Sequence, residues 1–105
     1  MSTEHGYLKL VGDGWSAIVR SPEVTLGRKQ KEPPENAIAI GDHKKISRTH
    51  ISLTWTKGHW EMECLGKNGL QLNGVQVDSG IKKRIDSKSR VEISDIVVFW
   101  ILFPE

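Results

Sequence analysis

Between His50 and Cys64 the chain alternates twice, and this constrains the fold more than any other stretch. Ile51, Leu53 and Trp55 share one side while Ser52, Thr54 and Thr56 share the other. Lys57-Gly58 turns the chain, and Trp60, Met62 and Cys64 then alternate with Glu61 and Glu63. A period of two belongs to a strand with one dry and one wet face. Two such strands in succession form a sheet layer whose apolar side needs a second layer to cover it. At 105 residues the chain is long enough to bury that interface without disulfides, so a single domain over residues 1–105 is expected.

The rest of the chain supplies the second layer. Tyr7 to Val11, the turn Gly12-Asp13-Gly14 and Trp15 to Val19 predict a hairpin. Val24-Thr25-Leu26 predicts a short strand stopping at Gly27-Arg28, and Pro33-Pro34 holds the following polar segment in a loop. Ala37 to Ile40 is a further strand. Leu70, Leu72, Val75 and Val77 flank Asn73-Gly74, whose two residues tolerate the positive φ of a tight hairpin turn. Lys82-Lys83-Arg84 reads as a basic run in a loop, and Val91 to Ile93 as a strand. Ile96 to Phe103 is continuously apolar and predicts a central strand buried on both faces, ended by Pro104. No window has helical periodicity, so an all-β, antiparallel sandwich is expected.

Composition excludes several classes. The net charge of +2 does not by itself call for a nucleic acid or membrane surface. Cys64 cannot form an internal disulfide, no apolar run approaches the length of a membrane helix, and Met1 to His5 lacks the apolar core of a signal peptide. A soluble intracellular protein is expected. Neither a nucleophile elbow nor a phosphate-cradling Gly-x-x-x-x-Gly-Lys occurs, so no catalytic residue is expected. His43, His50, His59 and Cys64 lack ligand spacing, so no metal is expected, and nothing calls for a cofactor. Trp55, Trp60 and Trp100 are expected to fill the core.

One loop carries unusual chemistry. Lys44-Lys45-Ile46-Ser47-Arg48-Thr49-His50 gathers cations and hydroxyls immediately before the alternating strand. Hydroxyls donate one hydrogen bond each and a guanidinium offers a planar fork, a set suited to the several oxygens of a phosphate. Arg28, after a glycine at a strand end, can project another cation, although a lone Arg at a turn is also ordinary surface. Asn68, between Lys67 and Gly69, can donate to and accept from a peptide backbone.

In order and spacing, Val24-Thr25-Leu26-Gly27-Arg28, Ile46-Ser47-Arg48-Thr49-His50-Ile51, Gly66-Lys67-Asn68-Gly69 and Asn73-Gly74 resemble the forkhead-associated (FHA) domain. Within that family the Cys64 to Gly69 version is most similar to domains of forkhead-type transcription regulators, the forkhead-box K and Fhl-like group. The resemblance implies a twisted SMAD/FHA-like sandwich of about eleven strands, and a nuclear protein whose partner carries phosphothreonine. It further implies that Arg28 and Ser47 contact phosphate, that Arg48 adds a contact, and that Asn68 holds the peptide main chain. Lys45 falls where a residue selecting the third amino acid after the phosphothreonine is often found, favouring an acidic side chain there. His50 is implied to brace the loops, with Gly27, Gly69, Asn73 and Gly74 as structural positions. Lys67 replaces a small hydroxyl residue that often touches phosphate, and its charge can serve the same end. Leu70 and Ser94-Asp95 also depart from the usual pattern.

Two rival readings remain. One is an FHA-like scaffold binding an unphosphorylated partner, and the other a weak nucleic-acid contact through Lys82-Lys83-Arg84 and Lys44-Lys45. Short basic runs are ordinarily solvated, and direct nucleic-acid binding is not expected. The oligomeric state is left open, with a monomer as default.

Overall fold

The computed structural model describes residues 7–103; the calls on Met1 to His5 and on Pro104 lie outside the described residues. Eleven strands, in chain order, are β1 (Leu8–Gly12), β2 (Trp15–Val19), β3 (Glu23–Arg28), β4 (Ala37–Gly41), β5 (Ile51–Thr56), β6 (His59–Cys64), β7 (Leu70–Leu72), β8 (Val75–Val77), β9 (Lys82–Ile85), β10 (Ser89–Ile93) and β11 (Val97–Leu102). They form a six-stranded sheet, β2-β1-β11-β10-β7-β8, and a five-stranded sheet, β4-β3-β5-β6-β9. The all-β sandwich is therefore as expected. One pairing differs from an all-antiparallel arrangement, because β4 runs parallel to β3, with a register shift between Gly27 and Arg28.

The alternation decides which sides meet. Ile51 and Leu53 of β5 lie opposite Cys64 and Met62 of β6, and all four are fully buried. Leu8 and Leu10 of β1, Val91 and Ile93 of β10, and Phe99 and Ile101 of β11 face them from the other sheet. Trp60 is buried and meets Trp55 at 5.7 Å between ring centroids, while Trp15 meets Phe99 at 5.8 Å. Burial of this contiguous set removes most of the core's apolar surface from water and is the main favourable contribution to folding.

Three expectations are corrected. The basic run Lys82-Lys83-Arg84 lies within edge strand β9, not in a loop: these three side chains are exposed and only Ile85 points into the core. A charged row on an edge also discourages pairing with another chain. Strand β11 is central but buried on one face only, since Val97, Phe99 and Ile101 are buried while Trp100 between them is 41% exposed. That exposure also removes Trp100 from the core residues. A two-layer sandwich covers one face of each sheet, so an apolar run here reports an apolar outer surface rather than a third layer.

The Asn73-Gly74 turn forms between β7 and β8 with φ of 53° and 85°. Asn73 Oδ1 also accepts from the Arg90 backbone N–H at 2.8 Å, tying this turn to β10. No helix among the described residues is long and apolar enough to cross a membrane.

Candidate functional site

The loop from Gly41 to His50 is pinned at both ends and in its middle. Ile46 is fully buried, a single apolar anchor in a polar run, and its N–H bonds to the His43 carbonyl at 3.0 Å. Within that turn the Lys45 N–H donates to His43 Nδ1 at 3.1 Å. At the far end the His50 N–H reaches the Leu26 carbonyl of β3 at 2.8 Å. Lys44, Lys45 and Arg48 are thereby held exposed on a fixed base, with Ser47 half-buried among them.

Arg28 is brought to Ser47 by the backbone, its N–H donating to the Ser47 carbonyl at 3.0 Å. This approach depends on Gly27. A Cβ there would collide with the Arg48 backbone carbonyl, so a side chain would push the loop off the strand. The Gly-Arg pair thus has two parts: the glycine admits the neighbouring loop, and the arginine sits beside it.

His50 connects this loop to the one after β6. Its buried ring accepts from the Ser47 N–H through Nδ1 at 3.0 Å and bonds the Gly69 carbonyl through Nε2 at 2.8 Å. Since Nδ1 accepts, Nε2 carries the proton and donates, the neutral form of the imidazole. The ring fits because Gly66 has no Cβ; one there would overlap it. The N–H groups of Leu65 and Gly66 both reach the His50 carbonyl, at 2.8 and 3.1 Å. Gly69, with φ of 69°, closes the turn by bonding the Gly66 carbonyl at 3.0 Å. A second link runs directly between the loops, as Asn68 Nδ2 donates to the Lys45 carbonyl at 2.9 Å.

The structure therefore joins the end of β3 at Arg28, the loop with Lys45, Ser47 and Arg48, and the loop with Lys67 and Asn68 through backbone bonds, Asn68 and His50. Asn73 and Gly74 stand apart, separated from Gly69 by the length of β7. Sequence reasoning passed over Ile46, whose only signal is being apolar within a polar run. It quoted Gly66 in a motif without seeing that this glycine receives the imidazole, and it passed over Gln30, whose Nε2 donates to the Arg48 carbonyl at 3.4 Å.

The electrostatics are one-sided. Among the described residues the ion pair is Arg90–Glu92 at 3.1 Å, and none of the site's cations has a carboxylate partner. These charges remain solvated and available to an incoming anion. No group of His, Cys, Asp and Glu among the described residues is arranged to hold a metal ion. Cys64 lies beneath the third loop, its thiol donating to the Gly66 carbonyl at 3.8 Å. Burial pushes that thiol above its ordinary value of 9.0, with a smaller upward push from the Asp78 carboxylate.

Comparison with known proteins places this geometry in a family. The profile of the FHA domain matches residues 24–94. The fork-head transcriptional regulator 2 of Candida albicans is 30% identical over 109 residues, covering 91% of this chain and 16% of that protein. The chain spans under half the length of the curated relatives it matches. The solution structure of the FHA domain of an Arabidopsis thaliana hypothetical protein superposes with a TM-score of 0.81 at 20% identity, over 100% of this chain and 94% of that one. The N-terminal FHA domain of Saccharomyces cerevisiae Rad53p, solved in complex with a phosphothreonine peptide, gives 0.73 at 17% identity, over 92% and 93%.

Proposed function

The chain belongs to the FHA-domain family, and from that premise we propose that it is a phosphothreonine-dependent protein interaction module. The observation that supports this reading is the hydrogen-bonded junction of the β3 end with two loops, where the Arg28 backbone meets that of Ser47 and, among the described residues, neither Arg28 nor Arg48 has a carboxylate partner. Residues 1–105 act as a single binding unit. Arg28 supplies a fork of N–H donors and Ser47 a hydroxyl to one phosphate, with Arg48 and Lys67 adding charge. Asn68 and Lys45 hold the peptide beside it, and Asn68 keeps its Oδ1 free to accept from a peptide N–H.

A phosphate carries about 1.5 to 2 negative charges near neutral pH and three acceptor oxygens, so this set favours it over a hydroxyl or single carboxylate. Recognition of phosphorylated motifs by Arg-centred sites is a recurrent mode of peptide binding. Catalysis has no place in this reading, because the donors stabilise a bound anion and the His50 imidazole has both ring nitrogens engaged, by the Ser47 N–H and the Gly69 carbonyl. The nuclear, regulatory setting is drawn from the fork-head regulators among the relatives. The partner is a phosphothreonine-containing protein; neither nucleic acid nor an unphosphorylated protein is required.

The test is a calorimetric titration with a phosphothreonine peptide library, with phosphoserine and unphosphorylated controls. Binding in the micromolar range, near 8 kcal/mol, is expected for a small contact made by loops alone. Loss of one charge-assisted hydrogen bond costs about 1.5 to 3 kcal/mol, so Arg28→Ala and Ser47→Ala should each weaken binding about tenfold or more in a folded domain. Equal affinity for phosphorylated and unphosphorylated peptides would overturn the proposal.

A further inference from the structure

The outer faces of the two sheets differ. That of the five-stranded sheet is polar, with Ser52 opposite Glu63 and Thr54 opposite Glu61 across β5 and β6. That of the six-stranded sheet is apolar toward its β2 end, where Ile18 of β2, 56% exposed, lies opposite Lys9 of β1, and Lys9 opposite Leu102 of β11. A hollow of about 390 Å³ opens there, lined by Tyr7, Ile18, Leu102 and Phe103 and by two cations, Lys9 and Arg20. No carboxylate is among the lining residues, and among the described residues neither cation has a carboxylate partner. The phosphate-facing loops are elsewhere: Asn68 neighbours Ser94 and Asp95 just before β11, while Leu102 and Phe103 lie at its far end, about 17 Å along the strand.

This hollow adjoins an open sheet edge. Strand β2 is outermost and pairs with β1 from Leu8–Val19 to Gly12–Trp15 without a shift of register. In an antiparallel pair, every second residue of such a strand directs its N–H and C=O outward, where another strand can take them up. Nothing in Trp15-Ser16-Ala17-Ile18-Val19 guards that edge, which has no charge, proline or bulge, whereas edge strand β9 carries three exposed basic side chains. Arg20 follows Ile18 by two residues and lines the same hollow, so the edge presents an apolar position and a cation at the spacing of one strand face.

We propose that the β2 edge and this hollow form a docking site for an extended segment of a partner protein, one that carries a bulky apolar side chain and an acidic side chain two residues apart. The segment adds as a strand along β2, its main chain pairing with the open N–H and C=O groups. On the face shared with Ile18, its apolar side chain covers Ile18 and enters the hollow, and its acidic side chain, two positions on, meets Arg20 and Lys9. Charge selects this occupant, because a neutral or basic segment would desolvate two cations without giving them a partner. Arg28, Ser47 and Asn68 take no part, so the site goes beyond the phosphothreonine reading and stands or falls without it.

The probes are short fluorescein-labelled peptides without phosphate, titrated by fluorescence anisotropy. One set places Leu or Phe two residues from Asp or Glu, in either order; a second set separates them by three, which puts them on opposite faces of a strand; a third has Lys in place of the acid. The best peptide of the first set should bind about fivefold or more tightly than its counterparts in the others, the gain of an ion pair with two solvent-screened cations. Ile18→Asp should weaken it about tenfold or more, through the lost apolar burial. Lys9→Glu combined with Arg20→Glu should abolish the preference for acid over Lys. All three positions are exposed, so both proteins should keep the wild-type melting temperature. In amide NMR spectra the peptide should shift Lys9 and Ser16 to Arg20 and leave Arg28 and Ser47 in place.

Equal binding of the three sets overturns the proposal, as does the failure of every first-set peptide to bind at concentrations up to about 1 mM. Shifts centred on Arg28 and Ser47 overturn it too. Sedimentation of the free protein addresses the other occupant: a concentration-dependent dimer that Ile18→Asp disperses would assign the edge to a second copy of this chain and overturn the partner reading, whereas a monomer that binds the first-set peptide supports it.

Discussion

Replacing His50 with alanine should separate the cost of joining the loops from the cost of the core. The ring is fully buried and makes two hydrogen bonds, from the Ser47 N–H at 3.0 Å and to the Gly69 carbonyl at 2.8 Å. Truncation leaves that N–H and that carbonyl without partners, at about 1 to 3 kcal/mol each for a buried group. The space the ring fills beneath Gly66 adds a cavity term of about 1 kcal/mol or more. The expected total of about 3 to 7 kcal/mol is a large share of the roughly 5 to 15 kcal/mol that stabilises a domain. Urea unfolding followed by tryptophan fluorescence reads it as a lower midpoint at unchanged slope. At low urea, where the variant is still folded, phosphopeptide affinity should also fall, because Ser47 and Gly69 no longer share a brace. His50→Gln, able to restore one of the two bonds, should fall between. A His50→Ala protein within about 1 kcal/mol of wild type, with unchanged affinity, would refute the argument that this imidazole holds the loops together.

Gly27→Ala should cost stability and phosphopeptide affinity together, because its Cβ must displace the Arg48 carbonyl; two assays, thermal melting and titration, should move in step. Binding should weaken as pH falls below about 6, where the phosphate's second proton returns, and a peptide bearing a non-titrating phosphate mimic of full charge should lose that dependence. Cys64 should react slowly with a soluble disulfide reagent in the folded protein and rapidly in urea, since burial disfavours the thiolate. The linked stability has a definite sign: with the folded thiol raised above 9.0, the contribution is complete below 9.0 and is lost as pH rises from there through the higher folded value.

Much of the sandwich was legible because alternation is written locally. The β5–β6 hairpin follows from its apolar positions and Lys57-Gly58, and the β7–β8 turn from Asn73-Gly74. What escaped was long-range or two-sided. Strand β9 has three exposed basic residues and one buried isoleucine, so its strand character comes from pairing with β6 and not from its own pattern. In β11, Val98, Trp100 and Leu102 make the open face as apolar as the buried one, which erases the alternation that would show which side is covered. The parallel pairing of β4 with β3 depends on where the Lys29 to Asn36 connection delivers the chain, a matter no local signal fixes.

The site divided along the same line. Its glycines, hydroxyls and cations were visible as loop chemistry, and their order carried the family resemblance. The bonds that join them were not visible, because His50 meets Gly69 across 19 residues and Asn68 meets Lys45 across 23. Ile46, the apolar residue that seats the whole loop, looks in sequence like an interruption of a basic run.

The most direct test of the central claim is a crystal structure of this domain with a singly phosphorylated threonine peptide. The account predicts phosphate oxygens within about 3 Å of both the Arg28 guanidinium and Ser47 Oγ, the range of charge-assisted hydrogen bonds. A phosphate seated away from either side chain, or held by Lys82-Lys83-Arg84 on β9, would contradict it.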